Sequence, residues 1–243
     1  VAGDQLVTAV RRQLGLGRLL PLGGPADGAW IAERAAAGVL RETGDTLPGL
    51  RVGTLRLSLA DADAAPEPSV PAPPSALPPG PLLVEADFAA TAGRPVPASA
   101  DLLRKALLTC AADRLGLEVA AVDLRVTDLL EEDEGGEGGR SGGGGTASSG
   151  AAGGGGSTAE DAGPLETAVL RVPGVVRLVP ALGALSRPVR EDDGHVLVQL
   201  AVAPDRRALD VARAVRGAVE EAAGGERPTV AVLVAALEAP AAS

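Results

Sequence analysis

Two side chains in this chain could do acid–base or nucleophilic work near neutral pH, the single histidine His195 and the single cysteine Cys110. His195 follows the turn-forming run Glu191-Asp192-Asp193-Gly194 and has no candidate nucleophile beside it, which fits an exposed residue at a strand edge better than a general base. Cys110 shares helical spacing with Leu103 and Leu107, the place of a small buried hydrophobe and not of an activated thiolate. Asp61, Asp63 and Glu67 could offer oxygens to a hard cation, but prolines around them leave the carboxylates solvated. Glu131, Glu132, Asp133, Glu134 and Glu137 lead into a glycine tract and read as a solubilising run. Gly15-Leu16-Gly17 lacks the third glycine and the preceding strand of a dinucleotide loop. No catalytic, cofactor-binding or metal-ligating set emerges, so contact with other proteins becomes the chemistry to look for.

Candidate contact residues lie near the N-terminus. Leu6, Val10 and Leu14 fall one helical turn apart, with Arg11 and Arg12 off that stripe, so residues 4–16 are expected to form an amphipathic helix. That stripe suits either a partner groove or the protein's own first sheet. Trp30, the only tryptophan, would serve either as a partner anchor or as the start of a core helix.

Composition narrows the classes. At 243 residues and 46% apolar, the chain is long enough for one or two compact domains. A formal charge of -10 opposes binding to the phosphates of nucleic acid and direct adsorption on anionic lipid. One cysteine rules out a disulfide framework and fits a reducing, cytoplasmic setting. The first twenty residues, with Asp4, Arg11 and Arg12, are unlike a signal peptide, and the apolar stretch 230–237 is too short to span a bilayer.

The elements that must position any site are duplicated. Residues 100–129 align without a gap on 208–237, placing Leu103 on Val211, Leu107 on Val215, Val122 on Val230, Leu124 on Val232 and Val126 on Val234. Apolar spacing is kept and polar chemistry is not, so the repeated object is a packing unit. Residues 29–42, all but wholly good helix formers, are expected to be a helix; Leu55, Leu57 and Leu59 alternate as a strand, and 82–88 form a second. A helix over 99–115 and a strand over 119–129 follow, the latter with Val122, Leu124 and Val126 on one face and Asp123 and Arg125 on the other. In the second copy, 165–171 is a helix, 196–202 a strand, 209–222 a helix and 229–237 a strand, with a hairpin at 191–194. Val172-Pro173-Gly174-Val175 echoes Leu47-Pro48-Gly49-Leu50, and Val169-Leu170-Arg171 echoes Val39-Leu40-Arg41.

The fold class expected is therefore α+β, two copies of a helix-strand-strand-helix-strand unit. The expected divisions are an N-terminal helix and turn (1–25), a first copy (26–130), a disordered acidic and Gly-rich linker (131–163) and a second copy (164–239). Within the first copy, residues 61–81 hold eight prolines and are expected to be a stiff insertion outside the core. At about 75 residues the second copy is near the lower limit for a self-sufficient core and would gain from docking on its twin.

A Pro-Gly turn after a helix, then strands, then Ala208-Leu209-Asp210-Val211-Ala212-Arg213-Ala214-Val215-Arg216 closing on an alternating valine strand, resembles the alkaline shock protein family of bacterial envelope stress response proteins. Leu20-Pro21-Leu22-Gly23-Gly24-Pro25 and Asp27-Gly28-Ala29-Trp30-Ile31 resemble a particular actinobacterial group that often carries the label nucleopolyhedrovirus P-ten family. That label implies a fibrillar coiled coil, and no apolar heptad is sustained here. The resemblance implies a non-enzymatic, oligomerising scaffold or adaptor, without cofactors, held under the membrane by a membrane-anchored partner. The alternative reading is a small-molecule or peptide sensor with its pocket between the two copies.

Overall fold

The computed structural model describes residues 17–130, 163–182, 187–224 and 228–239. Its order is β1 (Leu19–Leu22), β2 (Ala29–Ala32), α1 (Glu33–Asp45), β3 (Leu50–Leu59), β4 (Leu82–Thr91) and α2 (Val96–Cys110), which runs into a π-helical turn (Ala111–Leu115). It continues with β5 (Val119–Leu130), α3 (Pro164–Leu170), β6 (Val175–Leu178), β7 (Val189–Asp192), β8 (His195–Val202), α4 (Ala208–Ala222) and β9 (Thr229–Leu237). The chain is an α+β protein with two sheets, β3-β4-β5 and β1-β2-β9-β8-β6, β7 joining the second beside β8.

The repeat is visible in three dimensions. In each copy the central strand takes an antiparallel neighbour on one side and, across a helix, a parallel neighbour on the other: β4 between β3 and β5, β8 between β6/β7 and β9. Even the irregularities are duplicated. Thr127 is skipped in the β4–β5 register and Ala235 in the β8–β9 register, positions that the sequence alignment superposes. Gly49 and Gly174 follow their prolines with positive φ, and each carbonyl then accepts from the end of its central strand, Thr91 N–H and Ala203 N–H, at 2.9 Å. This turn places Val169-Leu170-Arg171 on Gly44-Asp45-Thr46, at the helix end, and not on Val39-Leu40-Arg41. The hairpin expected at 191–194 is present, Asp192 opposite His195 and both Asp193 and Gly194 at positive φ, as a two-residue turn matched to strand twist requires.

The helix expected from residue 29 begins later. Residues Ala29–Ala32 form β2, and the helix starts at Glu33. Non-local pairing overrides helix propensity here: β2 lies parallel to β9, Ala29 opposite Val232 and Ile31 opposite Val234, while β1 folds back on β2. The N-terminal hairpin thus extends the second copy's sheet, and that sheet is covered on both faces. One face shares a core with α4, α1, α2 and the first sheet. The other holds a smaller core of Leu19, Trp30, Ala32, Val70, Ala181, Leu197, Ala231 and Leu233.

The Pro-rich insertion supplies part of that cover, contrary to its expected exclusion from the core. Val70 is buried, Leu77 N–H donates to Leu19 C=O at 2.9 Å, Ser69 N–H donates to Pro25 C=O at 3.0 Å, and Trp30 Nε1–H donates to Leu77 C=O at 3.1 Å. Proline-fixed backbone crosses the sheet with little entropy left to lose, and its carbonyls serve as acceptors. Residues 131–162 of the linker expected over 131–163, and the N-terminal helix expected over 4–16, lie outside the described residues; Gly163 is described and is the N-cap residue of α3.

Candidate functional site

Of the predicted contact residues, Leu6, Val10, Arg11 and Leu14 lie outside the described residues. Trp30 is 1% exposed and fills the second core, so it is not available to a partner. Cys110 is buried on the α2 stripe with Leu103 and Leu107, and the Thr43 hydroxyl lies 3.1 Å from its sulfur. His195 Nδ1 sits 2.8 Å from Thr229 Oγ1 across the β8–β9 pair, and partial burial pushes its pKa below the ordinary value. Asp61 accepts from its own turn, the N–H groups of Asp63 and Ala64, and no cluster of three metal-ligating side chains exists among the described residues. Among the described residues, Trp30, Cys110, His195 and Asp61 do not come together in a common site.

The two copies meet through packed side chains and fixed polar contacts. Gly116, at φ +86°, leaves room where a Cβ would stand 2.4 Å from Leu209 Cβ. Gly23 N–H donates to Gly116 C=O at 3.1 Å, and Arg207 Nε–H to Ala112 C=O at 2.9 Å. At the tip of the β1–β2 hairpin, Arg213 from α4 grips Asp27 with both its Nε (2.7 Å) and a terminal nitrogen (3.1 Å), while Arg216 donates to the carbonyls of Ala26 and Asp27. Arg213 therefore holds the Asp27 carboxyl below its usual value of 3.8, against the opposing pull of burial. A depressed carboxylate pKa stabilises the fold above the unfolded value and loses that contribution as pH falls through the folded one. Asp27→Asn is expected to cost about 1 kcal/mol at pH 7, Arg213 being half exposed. The difference from wild type should close as the buffer is taken well below pH 3.8 in urea titrations. A gap that persists unchanged at acid pH would show that the carboxylate's charge is not what holds the hairpin.

Among the described residues, β5 is an edge strand with its outer side open. Arg104 Nε–H reaches it from α2, donating to Val122 C=O at 3.3 Å, so the main-chain groups of Val122, Leu124 and Val126 point away from β4. In the second copy the equivalent groups of β9 are satisfied: β2 lies beside them and Val232 N–H donates to Gly28 C=O at 2.9 Å. The position of Arg104 is taken there by Ala212, which is fully buried. Among the described residues no strand lies on the outer side of β5, though it runs for 12 residues.

Apolar exposure gathers at the same place. Of the five exposed large hydrophobics among the described residues, Leu102, Leu108, Val126 and Leu129 lie on α2 and β5, and Leu129 is 57% exposed. Leu108 follows Arg104 by one helical turn and so shares the helix face turned toward the edge. On the solvent face, Asp87 of β4 holds Arg125 of β5 through two hydrogen bonds of 2.8 and 3.2 Å, which raises the guanidinium pKa further. One step along, Glu85 stands opposite Asp123, and neither carboxylate has a hydrogen-bond or ion-pair partner among the described residues. Sequence reading separated the two faces of β5 correctly but had no signal for the missing neighbour strand. No known protein family, curated protein or solved structure matches this chain.

Proposed function

We propose that this protein is a non-enzymatic scaffold of the envelope stress type, acting through protein contacts at the open edge of β5, on the cytoplasmic side of the membrane. The observation that carries the reading is the contrast between twin strands. β9 is closed by β2, whereas among the described residues β5 has no strand on its outer side and, the Arg104 contact to Val122 C=O apart, presents that backbone edge rimmed by exposed leucine and valine. A strand edge of this kind binds by β-augmentation, backbone supplying affinity and alternate side chains supplying choice of partner. No described helix is long and apolar enough to cross a membrane, and in this reading the membrane location comes through a partner.

The test is affinity capture from the native host with tagged wild-type chain and with the double variant Val126→Glu/Leu129→Glu. Both positions are exposed, so the variant should keep the melting temperature within about 2 °C. Recovery of protein partners, untagged copies of the chain included, should fall at least about tenfold with the variant, since two carboxylates would have to be desolvated at the contact. Equal recovery by both baits would remove the edge from the function.

A further inference from the structure

We infer that the occupant of the β5 edge is the β5 edge of a second copy, paired antiparallel about a twofold axis through Leu124. The inference rests on the scaffold reading and names the partner at that same edge. Between the two irregularities of β5, residues 121–126 form an unbroken stretch, and their side chains are self-complementary in this one register. Leu124 faces its own copy and Val122 faces Val126 of the other chain, all on the core-side face, where Val126 is otherwise exposed. On the opposite face Asp123 of each chain meets Arg125 of the other.

That second pairing answers a defect of the single chain. Glu85 has Arg56 of β3 opposite it on one side and the Asp123 carboxylate on the other, and Asp123, at the edge, has no cation opposite it within the sheet, so its like-charge pairing with Glu85 destabilises the single chain. An arginine arriving from a second copy lies beside Asp123, and each Arg125 then stands between two acids, Asp87 of its own sheet and Asp123 of its partner. Arg104 need not leave, because the Val122 carbonyl has two lone pairs and Arg104 uses one at 3.3 Å. The result joins two three-stranded sheets into one of six and closes both β5 edges, leaving β3 as the outer strand at each end.

The register makes a charge-exchange experiment decisive. Full-length wild-type chain should sediment at twice the mass of one chain. Asp123→Arg places arginine against Arg125 of the other copy, and Arg125→Asp places aspartate against Asp123, twice per dimer in each case. Each single variant should weaken association by about tenfold or more. Mixing the two should restore it, since every cross-chain pair in the mixed dimer is again of opposite sign. The double exchange D123R/R125D should also dimerise. It keeps one like and one opposite pair with Glu85 and Asp87, as wild type does, so its monomer is not penalised.

Thermal melts of each variant separate misfolding from lost pairing. A wild-type chain that stays single at high micromolar concentration overturns the inference, as does a mixture of the single variants that fails to associate. Either result leaves the scaffold reading to the host capture experiment. Should the dimer form while V126E/L129E captures host proteins as well as wild type does, the pairing stands and the scaffold role of this edge falls.

Discussion

Replacing Trp30 by alanine should cost about 3–5 kcal/mol, the range for removing a large aromatic side chain from a packed core. Trp30 is the largest fully buried side chain in the protein, and it does two jobs at once. Its ring fills the second core between β2 and the Pro-rich insertion, with Val70 among its neighbours there. Its indole N–H is a donor to the Leu77 carbonyl, so truncation also strands an acceptor. For a chain of this length a loss near 4 kcal/mol lowers the melting temperature by about 8–16 °C. The insertion should then become cleavable by protease at residues 61–81 before the rest of the fold yields. Trp30→Phe keeps most of the apolar bulk and loses the donor, and should cost about 1–2 kcal/mol. A Trp30→Ala protein melting within a degree or two of wild type would show that the insertion is not anchored through this ring.

Gln199→Leu should be nearly as damaging, about 3–5 kcal/mol, although it conserves volume. Gln199 lies fully buried on β8, opposite the break between β6 and β7. There the chain leaves the sheet, and the side chain takes over from the missing ladder: Oε1 accepts from the N–H groups of Ala181 (2.9 Å) and Leu182 (2.8 Å), and Nε2 donates to Arg187 C=O (3.1 Å). Leucine would leave two donors and an acceptor without their partner, each costing about 1–3 kcal/mol where water cannot replace it. Hydrogen exchange should show Ala181 and Leu182 losing protection while the β8–β9 pair keeps its own. An unchanged urea midpoint for Gln199→Leu would mean that water satisfies these groups and that the glutamine is incidental.

What could be read from the chain in advance followed from local spacing. Leu103, Leu107 and Cys110, or Val230, Val232 and Val234, announce helix and strand because burial demands a period of 3.6 or 2. The duplicated glycines at 49 and 174 were legible as turns for the same local reason. The four residues Ala29–Ala32 carry no period of their own and are strand through their pairing with β1 and, about 200 residues on, with β9. Gln199 carries a signal of its own in the sequence. A lone polar residue inside Val196-Leu197-Val198-Gln199-Leu200 stands in a run apolar enough to be covered on both faces, and so must be hydrogen-bonded. For the candidate site, the alternation of Asp123 and Arg125 against Val122, Leu124 and Val126 was plain, whereas the openness of their edge depends on what lies beside β5 in space. Insertion and loop, which carry no periodicity, were the parts whose packing only the fold reveals.

The parallel pair of β2 with β9 joins residues about 200 apart, Ala29 with Val232 among them. On a ribosome adding about 5–20 residues each second, β2 waits roughly 10–40 s for the strand that completes it. Over that interval the β1–β2 hairpin can fold on itself, but Ile31 and Trp30 have no sheet to enter. The first copy can close around its own local contacts while the second sheet assembles last, from both ends of the polypeptide inward. Newborn chains are thus expected to spend their synthesis as holdase clients, and any codon or mutation that slows translation after β5 lengthens the time in which that apolar hairpin is bare.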